Sequence, residues 1–165
     1  MKVRFATVDD LPALIDLGRR IHAESRFRGF SYDPSKLLQT GQRVLNSTTG
    51  THCCFVAETS TGKLAGVFVG CVEEYFFSRD RIANSILIFV DPAYRGGAAA
   101  LKLIHAFRTW ALNRQAIEVS ISIASGVTID RTDRFLKRIG LKLTGGNYAL
   151  SLASQSSHQP AQCAA

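Results

Sequence analysis

Residues 86–112 read ILIFVDPAYRGGAAALKLIHAFRTWAL, and the fold of the chain turns on how that stretch divides. Residues 86–90 are all apolar and stop at Asp91-Pro92, the pattern of a short buried strand bounded by a turn. A loop ending in Arg95-Gly96-Gly97 leads into residues 98–114. There the polar Lys102, His105, Thr109 and Asn113 recur every three or four positions among mostly apolar neighbours. That spacing predicts a helix buried on most sides. Strand, glycine turn and helix start together predict a place for an anion. The first amides of a helix have no partner inside it, and glycine lets the backbone close on a ligand.

Working outward, residues 2–7 (KVRFAT) alternate polar and apolar side chains, as a strand with one buried face does. Thr7-Val8-Asp9-Asp10 fits a capping box with Asp in place of Glu, and opens a helix to about Ser25 with Leu11, Leu14, Leu17 and Ile21 on its apolar face. The segment RFRGFSYDP, residues 26–34, mixes aromatic and basic side chains with Gly and Pro breaks and reads as a surface loop. A second helix covers residues 34–45. Strands follow over 52–59 and 64–73, joined by a Ser-Thr-Gly-Lys turn that lacks the upstream Gly and the following Ser/Thr of a phosphate loop. Residues 74–81 connect to the strand over 84–90. Beyond the long helix, residues 118–123 predict a strand and residues 131–139 a short helix stopped by Gly140. Residues 141–144 and 148–152 flank Gly145-Gly146-Asn147 and predict a closing hairpin.

Antiparallel strands leading into a β-α-β crossover place the chain in the α/β (α+β) class, with a mixed, mostly antiparallel sheet and helices on both faces. With 165 residues a single domain is expected over residues 1–152, with a disordered tail over 153–165. No apolar run approaches the roughly 18 residues of a membrane span, and the N-terminus MKVRFATVDD lacks a signal-peptide centre. A cytoplasmic protein without a membrane partner is expected. The four cysteines, Cys53, Cys54, Cys71 and Cys163, form no C-x-x-C pair, so no metal site is expected and they read as small reduced hydrophobes. A net charge of +7 favours anionic partners, but the basic residues are scattered, so the charge permits nucleic-acid binding without arguing for it.

The element order, with V-x-P-x-x-R-G-G at the β-to-α junction, resembles the GNAT superfamily of acyl-coenzyme A-dependent acyltransferases. The family's Arg/Gln-x-x-Gly-x-Gly/Ala signature reads Arg95-Gly96-Gly97-Ala98-Ala99-Ala100 here, with alanine at the first small position. A second family element matches RFLKRIGL, residues 134–141, and the likeness looks strongest to compact bacterial and phage members. The resemblance implies transfer of an acetyl or short acyl group from acetyl-coenzyme A, as co-substrate, to a primary amine by direct attack. It places the cofactor's pyrophosphate on Arg95, Gly96, Gly97, Ala98, Ala99 and Ala100, and its pantetheine arm on the backbone of Phe89 and Val90, in a gap between residues 86–90 and 119–123. It also puts the 26–32 loop and Tyr75–Phe77 around the acceptor, a small molecule or a protein amine. A homodimer is left open.

Two family positions are changed. Where the family often has a tyrosine acid stands Leu136, which has no proton to give, and where it often has an acidic base stand Asn84-Ser85. Substitutes by position are Glu73 or Glu74 at the preceding strand end, Ser85 holding a water, and Tyr148. His105 reads as a surface helix residue. The alternative reading is a GNAT-shaped protein without catalytic activity that binds another protein.

Overall fold

The computed structural model describes residues 1–152, which fall into two compact units, Met1–Ile129 and the segment from Asp130 onward. The first unit is built on one five-stranded sheet of β1 (Lys2–Phe5), β2 (His52–Glu58), β3 (Leu64–Glu74), β4 (Arg81–Val90) and β5 (Ala116–Ser120), adjacent in that order. The first four strands are antiparallel neighbours and β4 pairs β5 in parallel, the mixed sheet that the sequence predicts.

Helices α1 (Leu11–Glu24) and α2 (Pro34–Leu45) precede β2, and α3 (Ala99–Asn113) crosses from β4 to β5. Alternation along the strands sends side chains to both faces. On one face Cys54, Val67 and Phe89 pack with Leu17, flanked by Leu14 and Ile21 of α1 and Val44 and Leu45 of α2. On the other, the fully buried rings of Phe68 and Phe107 of α3 lie 4.3 Å apart, with Trp110 stacked on Phe107 at 5.8 Å. Helices therefore cover both faces.

Local chemistry fixes the helix starts. Asp10 accepts the Thr7 amide at 2.8 Å, the carboxylate half of the expected capping box, after which a single 3-10 turn leads into α1. Asp33 accepts from the amides of Ser35 and Lys36, with Pro34 at the first helical position where its missing N–H costs nothing.

The largest differences from the sequence reading are in β4, β5 and the closing hairpin. β4 starts at Arg81 rather than residue 84, because residues 81–84 are the ones that pair with β5. β5 occupies Ala116–Ser120 instead of 118–123: its ladder ends at the Asn84–Ser120 pair, and beyond it the Ser122 amide donates to Ser85 Oγ at 2.9 Å. The predicted hairpin over 141–152 does not form; no strand lies there among the described residues. Two glycines at its turn raise the ordering cost, and Leu143, Leu150 and Leu152 are 71%, 84% and 88% exposed, so no apolar burial offsets that cost.

The second unit holds most of α4 (Ile129–Arg138), which ends as predicted at Gly140 with φ of 95°. The Leu141 amide returns to the Leu136 carbonyl at 3.0 Å, and Lys137 pairs with Asp133 one turn back at 2.8 Å. Leu136 is buried. The expected tail, residues 153–165, lies outside the described residues.

Candidate functional site

The β4-to-α3 junction carries an array of free amides. Asp91 accepts from Ala93 N at 3.0 Å and closes a 3-10 turn over Pro92–Tyr94. The amides of Tyr94 and Arg95 are used inside that turn, and the next amide with an acceptor is Lys102, bonded to the Ala98 carbonyl at 2.9 Å. Between them, the amides of residues 96–101 have no acceptor among the described residues. Gly96 has φ of 84°, the left-handed conformation that turns the chain so that successive amides share one side, and Gly96, Gly97 and Ala98 are exposed. The helix start has no side-chain cap. An anion is its natural complement, each exposed charge there gaining about 0.3–1 kcal/mol from the helix dipole.

Arg95 is held differently from the expectation of a phosphate ligand. Its Nε donates to the Val90 carbonyl at 2.9 Å, one arm of its fork meets Glu24 Oε2 at 2.7 Å, and the other meets Glu24 Oε1. One turn earlier on α1, Arg20 pairs with Asp91. Arg20 and Glu24 on the helix thus face Asp91 and Arg95 on the loop, two ion pairs of opposite polarity that fasten α1 to the junction. The partners lie 71 residues apart in the chain, so no local pattern announces them.

Beside the junction, β4 has an open edge. The register between β3 and β4 shifts so that Gly70 faces Ser85 and Val69 faces Leu87, leaving Ile86 unpaired and 58% exposed. This bulge bends β4 at the point where β5 leaves it. Among the described residues, β4 has no strand partner on the β5 side past Asn84. The Asp91 amide donates to Ala65 of β3 at 2.9 Å. By the alternation of an antiparallel ladder, Phe89 and Leu87 then point their amides to β3, while Ile88 and Val90 point theirs to the open side. Of the two residues that the sequence singled out, Val90 offers its amide to the gap, and Phe89 lies with its side chain buried. Ile88 was missed, although the period of two separating it from Val90 would have found it.

The catalytic candidates are placed as follows. Asn84 Nδ2 donates to Glu73 Oε1 at 2.7 Å, so a carboxylate on β3 reaches the strand position where the base was sought. Cys71, His52 and Asn84 share a rung with one another, and burial first, then the charge of Glu73, holds the Cys71 thiol above its ordinary value. Glu74, the next residue, projects from the opposite face and lies opposite Arg81 in the β3–β4 register. Ser85 is occupied as the acceptor of the Ser122 amide, a staple at the apex of the gap. Tyr148 belongs to the second unit and is 100% exposed. Tyr75, Phe76 and Phe77 cluster with centroid spacings of 4.5–5.3 Å in the β3–β4 connection, and the 26–29 turn is tied to the loop after β5 by Arg26, through its amide to Ser125 and its Nε to Ala124, both at 2.8 Å. Among the described residues no group of His, Cys, Asp or Glu is arranged to hold a metal ion, and no helix is long and apolar enough to cross a membrane.

A bulged strand with one open edge, running into an uncapped helix start through a glycine turn, is the frame of the GNAT fold, and this chain has that fold. Its backbone matches glucosamine-6-phosphate N-acetyltransferase from Arabidopsis thaliana at a TM-score of 0.73 and 16% identity, over 92% of this chain and 97% of that one. It matches AAC(6')-Iy, solved with the bisubstrate analog CoA-S-monomethyl-acetylneamine, at 0.74 and 16%, over 91% and 96% of the two chains. An aminoglycoside acetyltransferase from an uncultured soil metagenomic sample, solved with trehalose, matches at 0.69 and 23%, over 91% and 96%. No protein-family model matches the chain, and no curated protein matches its sequence.

Proposed function

We propose that the protein is an N-acyltransferase that moves an acetyl or short acyl group from acyl-coenzyme A to a primary amine. The observation that carries this reading is the run of acceptor-free amides over residues 96–101 beside the open edge of β4. A pyrophosphate needs several donors close together, and an extended amide-bearing arm needs an unpaired strand edge; coenzyme A presents both in one molecule. The likeness in fold to AAC(6')-Iy, which was solved with a coenzyme A-derived analog, supports the same choice.

In this reading Gly96, Gly97, Ala98, Ala99 and Ala100 cradle the pyrophosphate with their backbone, and Arg95 keeps the cradle in place through Val90 and Glu24. The arm lies along Ile88 and Val90 and runs back along β4 toward the bulge at Ile86, which brings the thioester to the Asn84 end of the open edge. Glu73, oriented by Asn84, takes a proton from the acceptor ammonium, directly or through one water. The free amine attacks the thioester carbon, the C–N bond forms, the C–S bond breaks, the thiolate leaves with the electron pair, and the remaining extra proton on the nitrogen passes to that thiolate or to water. Thiol pKa values near ~8.5 make that departure easy without an acid, so the mechanism asks nothing of Leu136, Tyr148 or Glu74. Ser85 keeps the gap open by ending the β4–β5 ladder. Cys53, Cys54 and Cys71, all free thiols, suit a reducing cytoplasm.

Release of free thiol from acetyl-coenzyme A in the presence of an amine panel tests this function. Turnover by the wild type, lowered about 10²-fold or more in kcat by Glu73→Gln, is the expected result. Acyl-coenzyme A binding with thiol release at background for every amine would turn the reading to the non-catalytic binding module.

A further inference from the structure

At the opposite end of α3 from the free amides, about 22 Å away along a helix of this length, lies a second polar site. A cleft of about 230 Å³ opens there between the 46–51 loop, the end of β3, the start of β4 and the last turn of α3. Thr49, Gly50, Thr51, Glu74, Arg81 and Arg114 line it.

Arg114 is held in place without any acceptor. Its guanidinium lies 5.8 Å from the Trp110 ring centroid on one side. On the other it presses on Gly50, where a Cβ would come within 2.5–2.8 Å of the guanidinium atoms. Gly50 also has φ of 65°, so both the chain direction and the room for Arg114 call for glycine. Yet no hydrogen bond or ion pair uses the Arg114 fork among the described residues. Arg81 is tethered beside it, donating to the Arg114 carbonyl at 3.4 Å, and among the described residues it has no carboxylate partner either. A line of hydroxyls completes this wall: Thr49 Oγ1 lies 2.8 Å from Thr51 Oγ1 and 2.9 Å from Ser47 Oγ, and Thr51 Oγ1 lies 3.0 Å from His52 Nδ1. The carboxylate at the far rim is Glu74, which has no partner side chain among the described residues, whereas the Glu73 carboxylate turns to the other face of the sheet and is engaged by Asn84.

We propose that this cleft binds a small phosphomonoester, its oxyanion on Arg114, Arg81 and the Thr49 and Thr51 hydroxyls, and a hydrogen-bond donor at its other end on Glu74. Two fixed guanidiniums beside hydroxyls suit the tetrahedral oxygens of phosphate, and the volume fits a compact metabolite, not a dinucleotide. The site is independent of the acyl-transfer reading and stands or falls separately from it.

Residue-resolved amide NMR of the full chain during titration with O-phosphoethanolamine, and with inorganic phosphate as the bare anion, tests the assignment. The expected result is saturable movement of the Thr49, Gly50 and Thr51 amides and of the Arg114 side-chain resonance, weakened about tenfold or more in Arg114→Gln and in Arg81→Gln. The unchanged remainder of each variant's spectrum serves as the check of folding. No saturable movement at those resonances, movement confined to residues 96–101, or equal affinity in wild type and both variants would overturn it.

Discussion

Asp10 gathers donors from two directions: the Arg4 fork at 2.7 and 2.9 Å and the Thr7 amide at 2.8 Å. Arg4 in turn reaches Glu58 on β2 at 2.7 Å, so one guanidinium ties the first strand, the start of α1 and the second strand together. The hydrogen bonds from Arg4, ahead of any other influence, hold the Asp10 carboxyl below its ordinary value. A depressed carboxyl pKa stabilises the fold above the unfolded value of about 3.9 and loses that contribution as pH falls through the lower folded value. Asp10→Asn is therefore expected to cost about 2–3 kcal/mol at neutral pH, measured by urea denaturation, and the gap from wild type should narrow below about pH 4. A gap that persists undiminished in acid would contradict the ion-pair account. Other interactions at this scale escaped the sequence for one reason. Arg95 with Glu24, Arg20 with Asp91, and Ser85 with the Ser122 amide are long-range pairings between ordinary residues, and nothing in their immediate neighbours marks them.

Elements fared better where local pattern and packing agree. The strand, Asp91-Pro92 stop, glycine turn and long helix were legible because each is set by its own periodicity and turn residues. The Ile86 bulge was hidden inside an apolar run, and the failed hairpin over 141–152 shows the converse: a good turn sequence makes no hairpin when its strands bury nothing. Packing between α3 and the sheet gives a direct test. A Cβ at Gly70 would come 2.4 Å from the Phe107 ring and 3.1 Å from the Asn84 carbonyl. Gly70→Ala is expected to destabilise the fold by about 1–3 kcal/mol, and adding Phe107→Leu should cost less than the sum of the two single changes, read from denaturation midpoints. The fastening of α1 to the junction makes a second one. If Arg95 acts by position, Glu24→Gln and Arg95→Gln should weaken acyl-coenzyme A binding to a similar degree and add little when combined. A far larger loss in Arg95→Gln than in Glu24→Gln would instead mean direct contact with phosphate.

For the whole molecule, the charge of +7 gives a background attraction for anions, and the fold concentrates it at defined places. The free amides over 96–101 and the open edge of β4 meet at one end of the sheet, and the Arg81–Arg114 cleft lies at the other. The sequence made the first legible because a glycine turn before a helix is a local motif; the second depends on a loop, two strand ends and a helix end that only the fold assembles. The central claim is that the first place holds coenzyme A. Calorimetric titration of the purified chain with acetyl-coenzyme A tests it most directly. The account predicts saturable one-to-one binding, weakened about tenfold or more by Gly97→Asp, which puts a carboxylate among the amides meant for phosphate. No binding of acetyl-coenzyme A or any other short-chain acyl-coenzyme A, or equal binding by Gly97→Asp, would contradict it.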